Sequence, residues 1–230
     1  MRKSNTKKLV STAMFAALAF AAAFACSFIP KVAGFLSFDI KDAVIVLCAL
    51  IFGPLWGGAI AIIVPLLEFI FPVGASTGWY GLIMNVLSSM TFCLVAGFIY
   101  KYKRSFYGAI VALVSGIFSV TAVMLIANIF ITPLYLTYVV GAPTSMGDII
   151  KNYIPTVLLP FNFTKATANA AIVLLLYKPL SGMLKKTRMI EYKLADNNEK
   201  KGFNVRSLIV TLIAVAVIVI SVCVMFFVIK

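Results

Sequence analysis

Five polar residues interrupt the apolar stretches of this chain: Glu68, Asn85, Asn128, Asn162 and Lys165. A charged side chain at the centre of a bilayer costs at least about 2.5–3.5 kcal/mol on insertion scales, so such residues face a partner or a cavity. The chemistry they offer is recognition. Asparagine carries donors and acceptors and lysine three donors, a set that reads the edge of a heterocycle rich in carbonyls and ring nitrogens. Phe130, Tyr135, Phe161 and Phe163 lie nearby and can contact a planar ring. Asn162 and Lys165, spaced i, i+3, share one helical face. The competing reading is polar glue between helices, worth roughly 0.6–2 kcal/mol per asparagine, with Glu68 and Lys165 simply paired. Five such residues at similar depth favour a pocket for a flat, polar-edged organic molecule over a bare ion.

Other chemistries are excluded by what is missing. The 230 residues contain no histidine, so histidine metal sites and histidine bases are out. Cys26, Cys48, Cys93 and Cys223 sit in separate apolar runs, without the close spacing of a disulfide framework or metal cluster. No phosphate-binding G-x-x-x-x-G-K-[ST] loop, serine-nucleophile elbow or H-E-x-x-H occurs. The chain is expected to be no enzyme, to hold no metal or cofactor, and to lack any means of hydrolysing ATP.

The elements that position these residues must live in lipid. Apolar residues make up 63% of the chain, charged residues 12%, and mean hydropathy is +1.07. A soluble domain carries roughly 45–50% apolar and about 25% charged residues. The net charge of +13 therefore points to cytoplasmic loops beside anionic lipid and not to nucleic acid. A first spanning helix is expected over Leu9–Pro30, whose 22 uncharged residues exceed a signal-peptide core. From Ala43 to Tyr100 the only charge is Glu68. Splitting that stretch at Phe52-Gly53-Pro54 and around Gly74–Gly78 gives helices near Ala43–Phe52, Leu55–Phe71 and Trp79–Tyr100. A fifth is expected over Tyr107–Thr132, stopped by Pro133, then an outer loop over Leu134–Lys151. A sixth follows over Asn152–Tyr177, its start disturbed by Pro155 and Pro160.

The expected architecture is all-α and polytopic: a six-helix bundle over residues 1–185, a basic cytoplasmic linker over 186–206, and a seventh spanning helix over 207–230, whose apolar run is Ser207–Ile229. This topology puts fifteen of the 20 basic residues inside and four outside (Lys31, Lys41, Lys151 and Lys230), with the N-terminus cytoplasmic and the C-terminus external. Trp79, Tyr135, Tyr138 and Tyr153 then fall at outer helix ends, and Trp56, Tyr100, Tyr107 and Tyr177 at inner ends. The five polar residues all fall in the outer half. On the first helix Ala13, Ala17, Ala21 and Ala25 recur every four residues, a small-residue stripe that admits close approach of another helix, either within the chain or from a separate membrane subunit.

Taken in order, several stretches carry a resemblance. They are Phe38-Asp39-Ile40-Lys41-Asp42, Phe52-Gly53-Pro54, Ser76-Thr77-Gly78 with Met84-Asn85, and Thr121-Ala122-Val123-Met124 leading to Asn128 and Thr132-Pro133-Leu134-Tyr135. The most specific is Leu159-Pro160-Phe161-Asn162-Phe163-Thr164-Lys165 with Asn169. Residues 5–185 resemble the substrate-binding S component of energy-coupling factor (ECF) transporters, of the riboflavin type. The resemblance implies a plasma-membrane vitamin carrier of six helices. It would capture riboflavin outside and deliver it for ATP-driven uptake with a transmembrane coupling subunit and two ATPase subunits. It assigns the isoalloxazine ring to Asn128, Asn162 and Lys165, and gives Glu68, Asp42, Thr77 and Asn85 as weaker candidates for ribityl or loop contacts. It makes the alanine stripe the surface that docks the coupling subunit. The seventh helix has no counterpart in that family. Rival readings are an S component for another vitamin or flavin analogue, a self-sufficient secondary carrier, whose inverted repeats and midplane charge pairs are not seen, and an intramembrane enzyme built on Glu68 and Lys165.

Overall fold

A computed structural model describes residues 2–71 and 77–186, with two isolated positions at 216 and 220. Apart from those two positions, the linker beyond Lys186 and the seventh helix expected over Ser207–Ile229 lie outside the described residues.

The helices follow the apolar runs. They are α1 (Arg2–Cys26), α2 (Lys41–Phe52), α3 (Pro54–Ile70), α4 (Gly78–Tyr102), α5 (Phe106–Tyr135), the single turn α6 (Met146–Asp148) and α7 (Leu159–Lys186). Leu136–Val140 continues α5 in π-helical form, and Ile149–Leu158 joins α6 to α7 in the same way. Six helical rods result. Those over Thr6–Cys26, Gly78–Tyr102, Phe106–Val140 and Met146–Tyr177 are long and apolar enough to cross a membrane. With 12 and 17 residues, α2 and α3 fall short of the roughly 20 needed for a full crossing.

Gly53 separates α2 from α3. Its φ of 107° lies where a side chain is strained, and Pro54 follows at the first position of α3, where a missing N–H costs nothing. The short α2 is the centre of the bundle and packs on α1, α3, α4 and α7. Every residue from Lys41 to Ile51 is buried, as expected of a helix apolar nearly all round. Two glycines let the rods approach. A Cβ on Gly57 would lie 2.5 Å from Ala49 Cβ, and one on Gly116 would lie 2.6 Å from the Phe92 ring.

The structure departs from the sequence reading at the outer loop. Helix does not stop at Pro133: α5 runs through it to Tyr135 and on to Val140. A proline inside a helix costs one hydrogen bond and a clash, and local π adjustment in a packed membrane helix absorbs both. Pro155 falls within the second π-helical stretch. The expected loop over Leu134–Lys151 thus contracts to the residues between Val140 and Met146. A further difference concerns Tyr100 and Tyr177. Their hydroxyls are hydrogen-bonded, their rings meet edge to face, and Tyr100 is buried in the core, so this pair fastens α4 to α7.

Candidate ligand-binding site

Two cavities open at the end of the bundle formed by the α1–α2 loop, the start of α4, the end of α5 and the start of α7. The first, of about 660 Å³, is lined by Tyr80, Met84 and Asn85 of α4, Asn128, Thr132 and Tyr135 of α5, Phe161, Asn162 and Lys165 of α7, and Phe35–Ser37 of the loop. The second, of about 650 Å³, lies beside it between the loop, α1, α3 and α4.

The polar groups of the first cavity are set by their own helices. Asn128 Nδ2 donates to the Met124 carbonyl at 2.7 Å, and its Oδ1 accepts from the Thr132 hydroxyl at 2.7 Å. Asn162 Nδ2 donates to the Leu158 carbonyl at 2.7 Å. One N–H of each amide is thereby fixed. The second N–H of each, and the Asn162 carbonyl oxygen, remain for a ligand. Tyr80 and Tyr135 meet nearly edge to face at 6.1 Å, and Phe35 lies 5.8 Å from Tyr135, so the cavity presents aromatic walls beside amides. Of the aromatics proposed for ring contact, Tyr135 and Phe161 line the cavity, whereas Phe130 and Phe163 lie on the exposed exterior.

A chain of charges joins the two cavities. Lys165 Nζ donates to Asp39 Oδ2 at 2.9 Å and to the Ser37 carbonyl at 3.2 Å. Asp39 also lies 3.4 Å from Lys41, which donates to Glu68 Oε2 at 2.7 Å. Asn85 Nδ2 reaches the same Glu68 oxygen at 3.3 Å. The expected alternative of a direct Glu68–Lys165 pair is therefore not what forms: each takes a different partner. Burial alone would raise the Asp39 carboxyl, but the Lys165 and Lys41 ammoniums outweigh it and hold Asp39 below the ordinary carboxylate range. Asn169 clamps the arrangement. It donates to the Asp39 and Lys165 carbonyls, each at 3.0 Å, and accepts from the Ala43 N–H at 2.8 Å.

The expected site residues thus divide. Asn128, Asn162 and Lys165 share the first cavity, Glu68 lines the second, and Asn85 and Thr77 line both. Asp42 lines neither; it accepts a hydrogen bond from Ser89 inside the bundle. Asp39 was not singled out, and Lys41 was placed among the outside charges, although it is only 2% exposed. The signal was available: Asp39-Ile40-Lys41-Asp42 puts three charges at the mouth of an apolar helix in a chain with 7 acidic residues in all.

The loop over the first cavity closes on itself. Val32 and Leu36 exchange two backbone hydrogen bonds, of 2.9 and 3.0 Å, around a turn at Ala33 and Gly34. Val32 and Leu36 then pack on Tyr135, Leu136, Ile149, Leu158 and Phe161, forming a small apolar cluster above the amides. On α1, Ser11, Thr12, Phe15, Ala19 and Ala23 face the bundle, while Ala13, Ala17, Ala21 and Ala25 are all exposed. Among the described residues the stripe is left exposed.

Residues 7–181 match the family model of the ECF transporter substrate-specific component. The chain belongs to that family. It is a multi-pass membrane protein and a transporter component, not an enzyme. Similar proteins include the riboflavin transporter RibU of Staphylococcus aureus (strain TCH60), 31% identical over 190 residues, which cover 81% of this chain and 96% of that protein. The riboflavin transporter FmnP of Bacillus subtilis (strain 168) is 27% identical over 185 residues, covering 80% and 97%. Among solved structures, the S component of a bacterial ECF transporter superposes with a TM-score of 0.63 at 30% identity, covering 79% of this chain and 99% of that one. The fold of this S component is therefore the family's six-helix bundle.

Proposed function

We propose that this S component captures riboflavin from outside the cell and hands it to an ECF coupling module for ATP-driven uptake. The observation that carries the reading is the convergence of the Asn128 and Asn162 amides, the Lys165 ammonium and two tyrosine rings in one cavity. A flavin ring system offers that cavity carbonyl and nitrogen acceptors on its edge and apolar faces on either side. The names of the two relatives support the same ligand. In the membrane, the cavities face outward, the N-terminus is cytoplasmic, and a C-terminus beyond a seventh helix is external. The exposed alanines Ala13, Ala17, Ala21 and Ala25 receive the transmembrane coupling subunit, and two ATPase subunits complete the transporter. The vitamin is cargo; no cofactor is needed.

The test is the visible absorption spectrum of the protein purified in detergent. A yellow preparation with flavin bands, lost on Asn162→Ala or Lys165→Ala, is the expected result. A colourless protein that also fails to quench added riboflavin fluorescence overturns the ligand and leaves an S component for another vitamin.

A further inference from the structure

Asn128 and Asn162 each keep an N–H for a ligand; Asn169 keeps none. Its Nδ2 donates to the Asp39 and Lys165 carbonyls, each at 3.0 Å, and its Oδ1 accepts from the Ala43 N–H at 2.8 Å. The side chain is fully buried and lines neither cavity. With both N–H groups and the oxygen engaged by backbone, its amide acts on the protein and not on a vitamin. Two of those partners lie 126 and 130 residues away, at the start of α2 and just ahead of it. That junction lacks a cap of its own. Ile40 precedes the first turn of α2, and its side chain carries no oxygen to accept from the open N–H groups there. Ala43 is the third residue of that turn, the position an N-cap side chain ordinarily reaches. Its N–H otherwise has only the turn bond to the Ile40 carbonyl at 3.2 Å. Asn169 therefore caps α2 from another helix, and the same amide holds the end of the α1–α2 loop by the Asp39 carbonyl.

What this fixes is Lys165. Its ammonium lines the first cavity and is aimed by two acceptors on the held stretch, the Asp39 carboxylate at 2.9 Å and the Ser37 carbonyl at 3.2 Å. A lysine side chain is long and rich in rotamers, and its ammonium has three donors. Two of them are anchored only while residues 37–39 stay against α7, and the third is then free for a ligand. We propose that Asn169 is a positioning residue for vitamin binding: it touches no ligand, caps α2 in trans, holds residues 37–39 against α7, and so keeps the Lys165 ammonium at the cavity. The inference rests on the flavin reading above for its ligand and adds the residue that orders the site from behind.

The full-length protein in detergent is followed by two readouts, riboflavin association and dissociation by stopped-flow fluorescence, and backbone hydrogen exchange without ligand. Asn169→Ala is expected to speed riboflavin dissociation about tenfold or more, the scale of stranding buried backbone groups, with association changed much less. Exchange should rise over residues 37–43 and stay at the wild-type level in α4 and α5. Asn169→Asp is the second variant, should the first fail to fold. It keeps the oxygen that caps α2 and loses both donors, so it should restore protection of the Ala43 N–H and leave dissociation fast. Unchanged dissociation in both variants overturns the proposal. So does exchange that rises equally throughout the bundle, the mark of a merely structural role, or a slow dissociation fully regained in Asn169→Asp. If the wild-type protein does not bind riboflavin at all, the flavin reading falls and takes this inference with it; if it binds and the variants match it, only the role of Asn169 falls.

Discussion

At the scale of single residues, Asn128 and Asn162 differ from ordinary interhelical asparagines in what they leave unused. Each spends one N–H on a carbonyl one turn back and keeps the other. Replacing either with alanine is expected to weaken riboflavin binding by about 1–3 kcal/mol, measured by fluorescence titration; unchanged affinity in both variants removes them from the site. Asp39 supplies a pH prediction. Its folded carboxyl is held below the unfolded value of about 3.9, so its contribution to stability is complete above that value and is lost as pH falls through the lowered one. Thermal unfolding in detergent should therefore show a stabilising contribution at pH 6 that Asp39→Asn removes, with the difference between the two proteins shrinking below pH 4. The depth of polar residues within apolar runs pointed to Asn128, Asn162 and Lys165. It did not point to Asp39 or Lys41, because a charge before a helix reads as a solvated end, and burial there depends on Lys165 and Asn169, more than 120 residues away.

At the scale of elements, all six rods were legible, as apolar runs bounded by charges, glycines and prolines. Gly53-Pro54 marked the α2–α3 break because its two residues each enforce a backbone state. The extension of α5 past Pro133 was not legible, since sequence pattern carries no record of an i+5 hydrogen-bonded turn. Nor was the outward aim of the alanine stripe: α1 is alanine-rich throughout, and only the bundle decides which alanines it covers. Two predictions belong here. Gly57→Ala drives a methyl group to 2.6 Å from Cys93 Sγ and 2.9 Å from the Ala49 backbone. It should destabilise the detergent-solubilised protein by about 1–3 kcal/mol, seen as a lower melting temperature. Leucines at Ala17 and Ala21 enlarge a face that the described residues leave exposed. They should abolish co-purification with the coupling subunit while riboflavin affinity stays at the wild-type value; loss of both would move the stripe into the fold itself.

At the scale of the whole molecule, the family match ends at residue 181, and the matches to the two relatives cover 80–81% of this chain. Truncation after Lys186 is expected to leave flavin binding intact in a fluorescence titration, and loss of binding would give the C-terminal segment a part in the vitamin site. The two ends of the bundle are unlike each other. Both cavities sit at one end. At the other, Phe92, Cys93, Ala96 and Leu113 are buried to 1% or less, and the Tyr100–Tyr177 hydroxyl pair ties α4 to α7. A molecule that gathers its polar cavity groups at one end of the bundle obeys the arithmetic of a receptor. In vesicles carrying this chain alone, bound flavin should plateau at one equivalent per accessible copy and remain there however steep the gradient, because a site at one end of the bundle holds its ligand without passing it on.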